Sequence, residues 1–205
     1  MKSRLILATV VALLASAPLL HAQAAQPALQ AFGGVSAPRS SARVFYWNSQ
    51  KNSSPGQFVV NYTAPAWSKE MDDPAAFDKA TKGKIWRLGK DFWTTLDTNI
   101  PLTIAGKDVA PGSYYLGLER SSDGATWSLV FVDPVKARKN YADASDMTLA
   151  LVEFKVPATV QKGTPKNEKL VIDLSYAKET PKSVTMKISW GTMQVSVPIE
   201  AQVGM

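Results

Sequence analysis

The chain has 205 residues, a formal charge of +6, a single His and no Cys. The missing Cys excludes disulfides, thiolate metal sites and thiol nucleophiles, so a packed core alone must hold the fold. The mild charge is scattered, and its longest basic run is the broken Lys136-Ala137-Arg138-Lys139. A nucleic-acid binder carries a denser stripe, so no nucleic-acid partner is expected.

Lys2 and Arg4 precede an apolar run from Leu5 to Ala17, Pro18 breaks it, and Ala22-Gln23-Ala24 supplies a small-x-small cleavage pattern. These three parts in order predict a secretory signal peptide over residues 1–24, cleaved after Ala24. The run is too short for a spanning helix, which needs roughly 20 apolar residues. Without a Cys at the cleavage point no lipid anchor is expected either. The predicted product is soluble, and periplasmic or extracellular. Removing Lys2 and Arg4 takes the charge from +6 to +4. Removing His21 leaves no imidazole, which excludes Ser-His-Asp and Cys-His systems and His-ligated metals in the mature chain.

Residues 25–42 are rich in Ala, Pro and Ser without periodicity and predict a flexible lead-in to one domain over 43–205. Strand signals then recur at Arg43–Trp47, Gln57–Thr63, Ile85–Leu88, Phe92–Thr98, Leu102–Ile104, Tyr114–Arg120, Thr126–Val132, Met147–Val156, Lys169–Tyr176, Ser183–Trp190 and Met193–Ile199. Ser54-Pro55-Gly56-Gln57 and Ala110-Pro111-Gly112-Ser113 read as type II turns, and Asp123-Gly124 as a hairpin. Gly191, between two alternating runs, reads as another hairpin. Asp73-Pro74 and Asp133-Pro134 each set an N-cap before a helix-opening Pro. They predict short helices near 74–82, closed by Gly83, and from 134 to about Ala144. The expected fold is all-β: a single antiparallel sandwich, jelly-roll-like, with two short helices in its connections. Val184, Met186, Ile188 and Trp190 share one face, as do Met193 to Ile199 and Leu170 to Leu174, so these strands bury one side. Trp127 to Val132 is apolar on both sides and predicts a central strand.

Ile85-Trp86-Arg87-Leu88-Gly89, then Thr94-Thr95, then Gly106-Lys107 and Pro111-Gly112-Ser113-Tyr114 resemble DUF2911, a bacterial family of unknown function. The family shows a W-R-x-G segment, paired threonines and a G-K-x-x-x-x-G-x-Y hairpin, and its closing element is similar to Trp190–Ile199. Many members carry Ala-Asn after W-R-x-G where this chain has Lys90-Asp91. The resemblance spans Ser53 to Ile199 and implies an exported, β-rich domain; it supplies no activity and no catalytic residues to carry over.

Alternation points Phe92, Thr94 and Leu96 inward and puts Trp93, Thr95 and Asp97 on the other face of their strand, with Tyr115, Gly117 and Glu119 on one face of theirs. If the strands are neighbours, Trp93, Thr95, Asp97, Tyr115 and Glu119, with Arg87 nearby, form an aromatic and acidic surface suited to a glycan or peptide. The plainer reading has Trp93 covering Gly117 across the strands and Arg87 paired with a carboxylate. No catalytic or metal-binding residue and no cofactor is expected. Asp91 and Asp97 are separated by about 20 Å along a strand, beyond the roughly 5 to 9.5 Å of a glycosidase pair. Asp97 with Glu119 stays open as a pair. Asp143-Ala144-Ser145-Asp146 lacks the length and Gly of a calcium loop. The expected function is a non-catalytic binding or structural role toward a glycan, peptide or protein partner at the cell envelope. The alternatives are a carboxylate-based hydrolase and a carrier of apolar small molecules between the sheets.

Overall fold

The computed structural model describes Ala31, Gly34 and residues 36–204. The leader over 1–24 and most of the lead-in lie outside the described residues. The first strand, β1 (Arg39–Asn48), starts four residues before the expected Arg43, because Arg39 to Ala42 pair with Thr63 to Val60 of β2 (Ser53–Thr63). The expected turn at Ser54–Gln57 is part of β2 instead. Asn52 takes the left-handed conformation that closes the hairpin, with Asn48 Oδ1 accepting from the Lys51 amide at 3.0 Å. Asn tolerates that conformation through its short polar side chain.

The remaining strands are β3 (Lys84–Arg87), β4 (Thr94–Thr98), β5 (Leu102–Ile104), β6 (Lys107–Val109), β7 (Gly112–Arg120), β8 (Trp127–Val132), β9 (Val152–Tyr176) and β10 (Ser183–Ala201). All pairings are antiparallel, in the order β1-β2-β4-β7-β8-β9-β10-β5-β6, with β3 also on β7. The order does not close on itself, and the two inner faces share one core: an antiparallel β-sandwich. Phe58, Val60, Leu96, Leu116, Leu129 and Phe131 line one side of that core, and Ile172, Met186, Ile188, Val195, Val197 and Ile199 line the other.

The two sheets are joined by the β9–β10 hairpin. Residues 152–158 of β9 pair with β8, whereas residues 159–176 pair with β10; the end of β10, Ile199 to Ala201, pairs with β5. Gly191 is a kink within β10 rather than the expected hairpin. Its φ is +58°, and the Trp67 ring lies so close that a Cβ there would meet it at 2.6 Å. Both runs flanking Gly191 pair with β9, so the strand bends without reversing. For the same reason Met147–Val156 and Lys169–Tyr176 do not form two strands: two 3-10 turns occupy Ala144–Asp146 and Leu149–Leu151, and β9 runs on from Val152.

Both expected helices form, but the second stops at Lys139 rather than near Ala144, where a separate 3-10 turn begins. In α1 (Pro74–Thr81) Asp73 Oδ2 accepts from the Ala76 amide at 2.9 Å. In α2 (Pro134–Lys139) Asp133 Oδ1 accepts from the Val135 amide at 2.7 Å. The cap accounts for one of the orphan amides of each first turn. Helix α1 lies over one end of the sandwich, where Phe77 stacks on Trp127 and the buried Arg120 guanidinium lies 5.5 Å from both ring centres. Arg120 donates to Asp78, to Thr81 Oγ1 and to the Gly124 carbonyl, so this buried charge is fully engaged. The segment from α2 to Leu151 packs Ala137, Met147 and Leu151 onto Val132, outside the main core. That second layer is why central β8 is apolar on both faces. Among the described residues no helix is long and apolar enough to cross a membrane.

Candidate binding face

Strands β3 and β4 follow the same edge of β7, with a six-residue excursion between them. Arg87 pairs with Gly117 and Thr94 with the adjacent Leu116, so residues 88–93 bulge out of the strand pairing, with the Leu88 amide still donating to the Leu116 carbonyl at 3.3 Å. The Lys90 amide donates to the Thr63 carbonyl at 3.0 Å, and Thr94 Oγ1 donates to the Leu88 carbonyl. The W-R-x-G segment is therefore the mouth of this excursion. One consequence reverses an expectation: Phe92, assigned inward by alternation, is 49% exposed, because β4 starts only at Thr94.

Thr95 and Asp97 lie on the outer face of the larger sheet, beside Tyr115 and Ser113 respectively. Asp97 accepts hydrogen bonds from Thr95 Oγ1 at 3.0 Å, from Asn61 Nδ2 at 3.4 Å and from Ser113 Oγ. Trp93 stacks on Tyr115 with ring centres 4.7 Å apart and planes within 5°. The pair lies under the segment after α2: Trp93 and Tyr115 pack on Met147 and Leu151, and Arg138 Nη1 is 3.5 Å from the Tyr115 hydroxyl. Gly117 is covered by Met147, not by Trp93 as the plainer expectation had it. Arg87 sits opposite Gly117, and its charge helps hold Asp143 below the ordinary carboxylate range. The larger causes are hydrogen bonds to Asp143 from the Ser145 amide and hydroxyl. Glu119 is spoken for by Lys155, at 2.8 Å.

Of the six expected site residues, the structure brings Trp93, Thr95, Asp97 and Tyr115 together. Arg87 and Glu119 lie toward the far end of β7. Glu119 is six residues along β7 from Ser113, the partner of Asp97, which separates the two carboxylates by about 20 Å. The open question of the carboxylate pair is answered by that register, since glycosidase chemistry needs roughly 5 to 9.5 Å. The Asp143–Asp146 stretch is a capping box on a 3-10 turn. Among the described residues there is no grouping of three metal-ligating side chains.

Reading the residue types alone misses the aromatic part of this face. Arg43, Phe45 and Trp47 alternate outward from β1, with Val44 buried between them. Phe45 and Trp47 are 44% and 56% exposed and stacked, centres 6.3 Å apart at 22°, and the Arg43 guanidinium lies 4.7 Å over the Phe45 ring. Next to them, across β2, is a shallow depression of about 380 Å³ lined by Gln57, Val59, Asp97, Asn99, Gly112 and Ser113. Arg43 pairs with Val59 and Phe45 with Gln57, so Phe45 stands beside the depression and the stacked Trp47 just beyond it. The available signal was Arg43, whose charge marks the outward phase of a strand that is aromatic on both faces.

The model of one protein family, described as a protein of unknown function (DUF2911), matches residues 48–199, against the expected Ser53 to Ile199. No curated protein and no solved structure matches the chain.

Proposed function

The chain belongs to the DUF2911 family, whose function is unknown, and from its geometry we propose a non-catalytic module, exported from the cell, that binds envelope glycans on the outer face of the larger sheet. The observation that carries this reading is the stacked, exposed Phe45–Trp47 pair beside a polar depression. Aromatic faces stack on the apolar face of a sugar ring, while hydroxyls need donors and acceptors close by. Gln57, Asp97, Asn99 and Ser113 supply both kinds within that depression. The carboxylate spacing argues against hydrolysis by Asp97 and Glu119. Export rests on the leader pattern of residues 1–24; intact-mass measurement of chain recovered outside the cytoplasm should show cleavage after Ala24.

The test is titration calorimetry against a panel of envelope polysaccharides, using wild type, Phe45→Ala and Trp47→Ala. Both side chains are exposed, so the variants should keep the wild-type melting temperature. Losing one stacking contact, worth up to about 1.5 kcal/mol, should weaken binding about tenfold. Binding that is unchanged in both variants, or absent for every glycan, would refute the proposal.

A further inference from the structure

The excursion of residues 88–93 leaves a gap between the two sheets. A cavity of about 220 Å³ opens there, walled by Trp86 and Leu118 from one sheet and Leu170, Ile188, Trp190 and Met193 from the other. Protein interiors are close-packed, with few voids larger than a water molecule. An apolar cavity of about 150 Å³ stays dry and takes up benzene. This one is larger, so it has room for about nine non-hydrogen atoms on the same scale, with the rest of a slightly longer ligand at its mouth.

Two further features say what the occupant would carry. Trp190 lines the cavity, and its Nε1–H is buried without an acceptor. Buried donors are almost always paired, so an orphaned indole N–H on a residue that lines the cavity calls for an oxygen. The charged residues lining the cavity, among the described residues, are Arg87 and Lys90, both cations. The Lys90 ammonium is only loosely held by Asp91, at 3.8 Å, which leaves it able to turn toward an anion.

We propose that this inter-sheet cavity binds a small apolar carboxylate of about eight carbons. Its hydrocarbon part lies between Leu118, Leu170, Ile188 and Met193, a carboxylate oxygen accepts from Trp190 Nε1, and Lys90 offsets the charge. The site is built from the inner faces of the sheets and stands independently of the glycan surface outside. A straight chain and a phenyl ring share the required chemistry, and the experiment separates them.

The test uses the chain from Ala25 onward, the product of the expected cleavage, with octanoate, phenylacetate and 1-octanol as probes, read by thermal shift and by tryptophan fluorescence. Octanoate or phenylacetate should give a saturable rise in melting temperature, and whichever binds more tightly reports a chain-shaped or ring-shaped cavity. 1-Octanol should bind at least tenfold more weakly, because it lacks the charge. Trp190→Phe should weaken the better carboxylate about tenfold, the ratio expected for losing one hydrogen bond to a charged group. Lys90→Ala, an exposed change that keeps the fold, should weaken it several-fold and flatten its salt dependence. No saturable shift with either carboxylate at several millimolar would overturn the proposal. So would equal affinity for 1-octanol, or carboxylate binding that survives both substitutions. Phe45→Ala and Trp47→Ala should leave carboxylate binding unchanged, so this result and the glycan result fail separately.

Discussion

Gly191→Ala tests how the kink in β10 is made. At φ +58° any side chain incurs the left-handed penalty, about 1–2 kcal/mol. The new Cβ would also meet three atoms of the Trp67 indole at 2.6 Å. That ring has little freedom to retreat. Its Nε1 donates to Asp72 at 2.8 Å, its edge meets Trp190 at 5.0 Å between centres, and its backbone amide is bound to the Glu168 carbonyl at 2.8 Å. Forcing extra volume into such packing costs about 1–3 kcal/mol. The expected total is about 2–5 kcal/mol, or a fall in melting temperature on the order of 10 °C for a domain of this size. Gly106→Ala is the matched control, with φ +84° and nothing within 4 Å of its Cβ position, so it should cost the backbone term alone. Urea unfolding at a constant slope gives both numbers. If Gly106→Ala costs as much as Gly191→Ala, the Trp67 contact is not what the glycine serves. In a Trp67→Ala background the difference between the two substitutions should vanish.

Two other outcomes follow from the helix and the covered aromatic pair. Hydrogen bonds from Lys82 and Arg120 hold Asp78 below the ordinary carboxylate value of 3.8. A depressed folded value means that its contribution is fully present above about 3.8 and is lost as pH falls through the lower folded value. Wild type should therefore exceed Asp78→Asn in urea midpoint at neutral pH and converge with it in acid; a gap independent of pH would remove Asp78 as the cause. Trp93→Ala and Tyr115→Ala should each destabilise, and their double-mutant cycle should show coupling of about 0.5–1.5 kcal/mol. Additive losses in that cycle would mean that the stacked rings contribute only separate packing.

Period-two patterning identified most of the strands from sequence. Val184 to Trp190 and Met193 to Ile199 bury the face that the alternation indicates, and Asp73-Pro74 and Asp133-Pro134 open the helices they cap. What local patterning cannot reveal is which partner a strand meets. Gly191 has the same left-handed backbone in a hairpin or a kink, and only the pairing of both flanking runs with β9 decides between them. Phe92 has the right phase for an inward residue, yet the chain has left the sheet by that point. The covering of Trp93 and Tyr115 depends on Met147 and Leu151, which arrive from a segment remote in sequence. On the candidate face, Thr95, Asp97 and Tyr115 were legible because two strands happen to be neighbours; Phe45 and Trp47 were hidden by a strand with aromatics on both sides.

Because the β9–β10 hairpin belongs to both sheets, neither sheet is finished without it. The final strand supplies Val184, Met186, Ile188, Val195, Val197 and Ile199 to the core. Those residues emerge from the ribosome after the rest of the core, so a nascent chain that has already produced the first eight strands still lacks most of one wall of its own interior. Sandwiches dominated by distant pairings already fold slowly, since loop closure must precede the contacts that reward it. Here the dependence is sharper, for the fold waits on β9 and β10. For the export proposed above, such a delay would keep the polypeptide threadable while it crosses, and the domain would lock shut only once β10 is through.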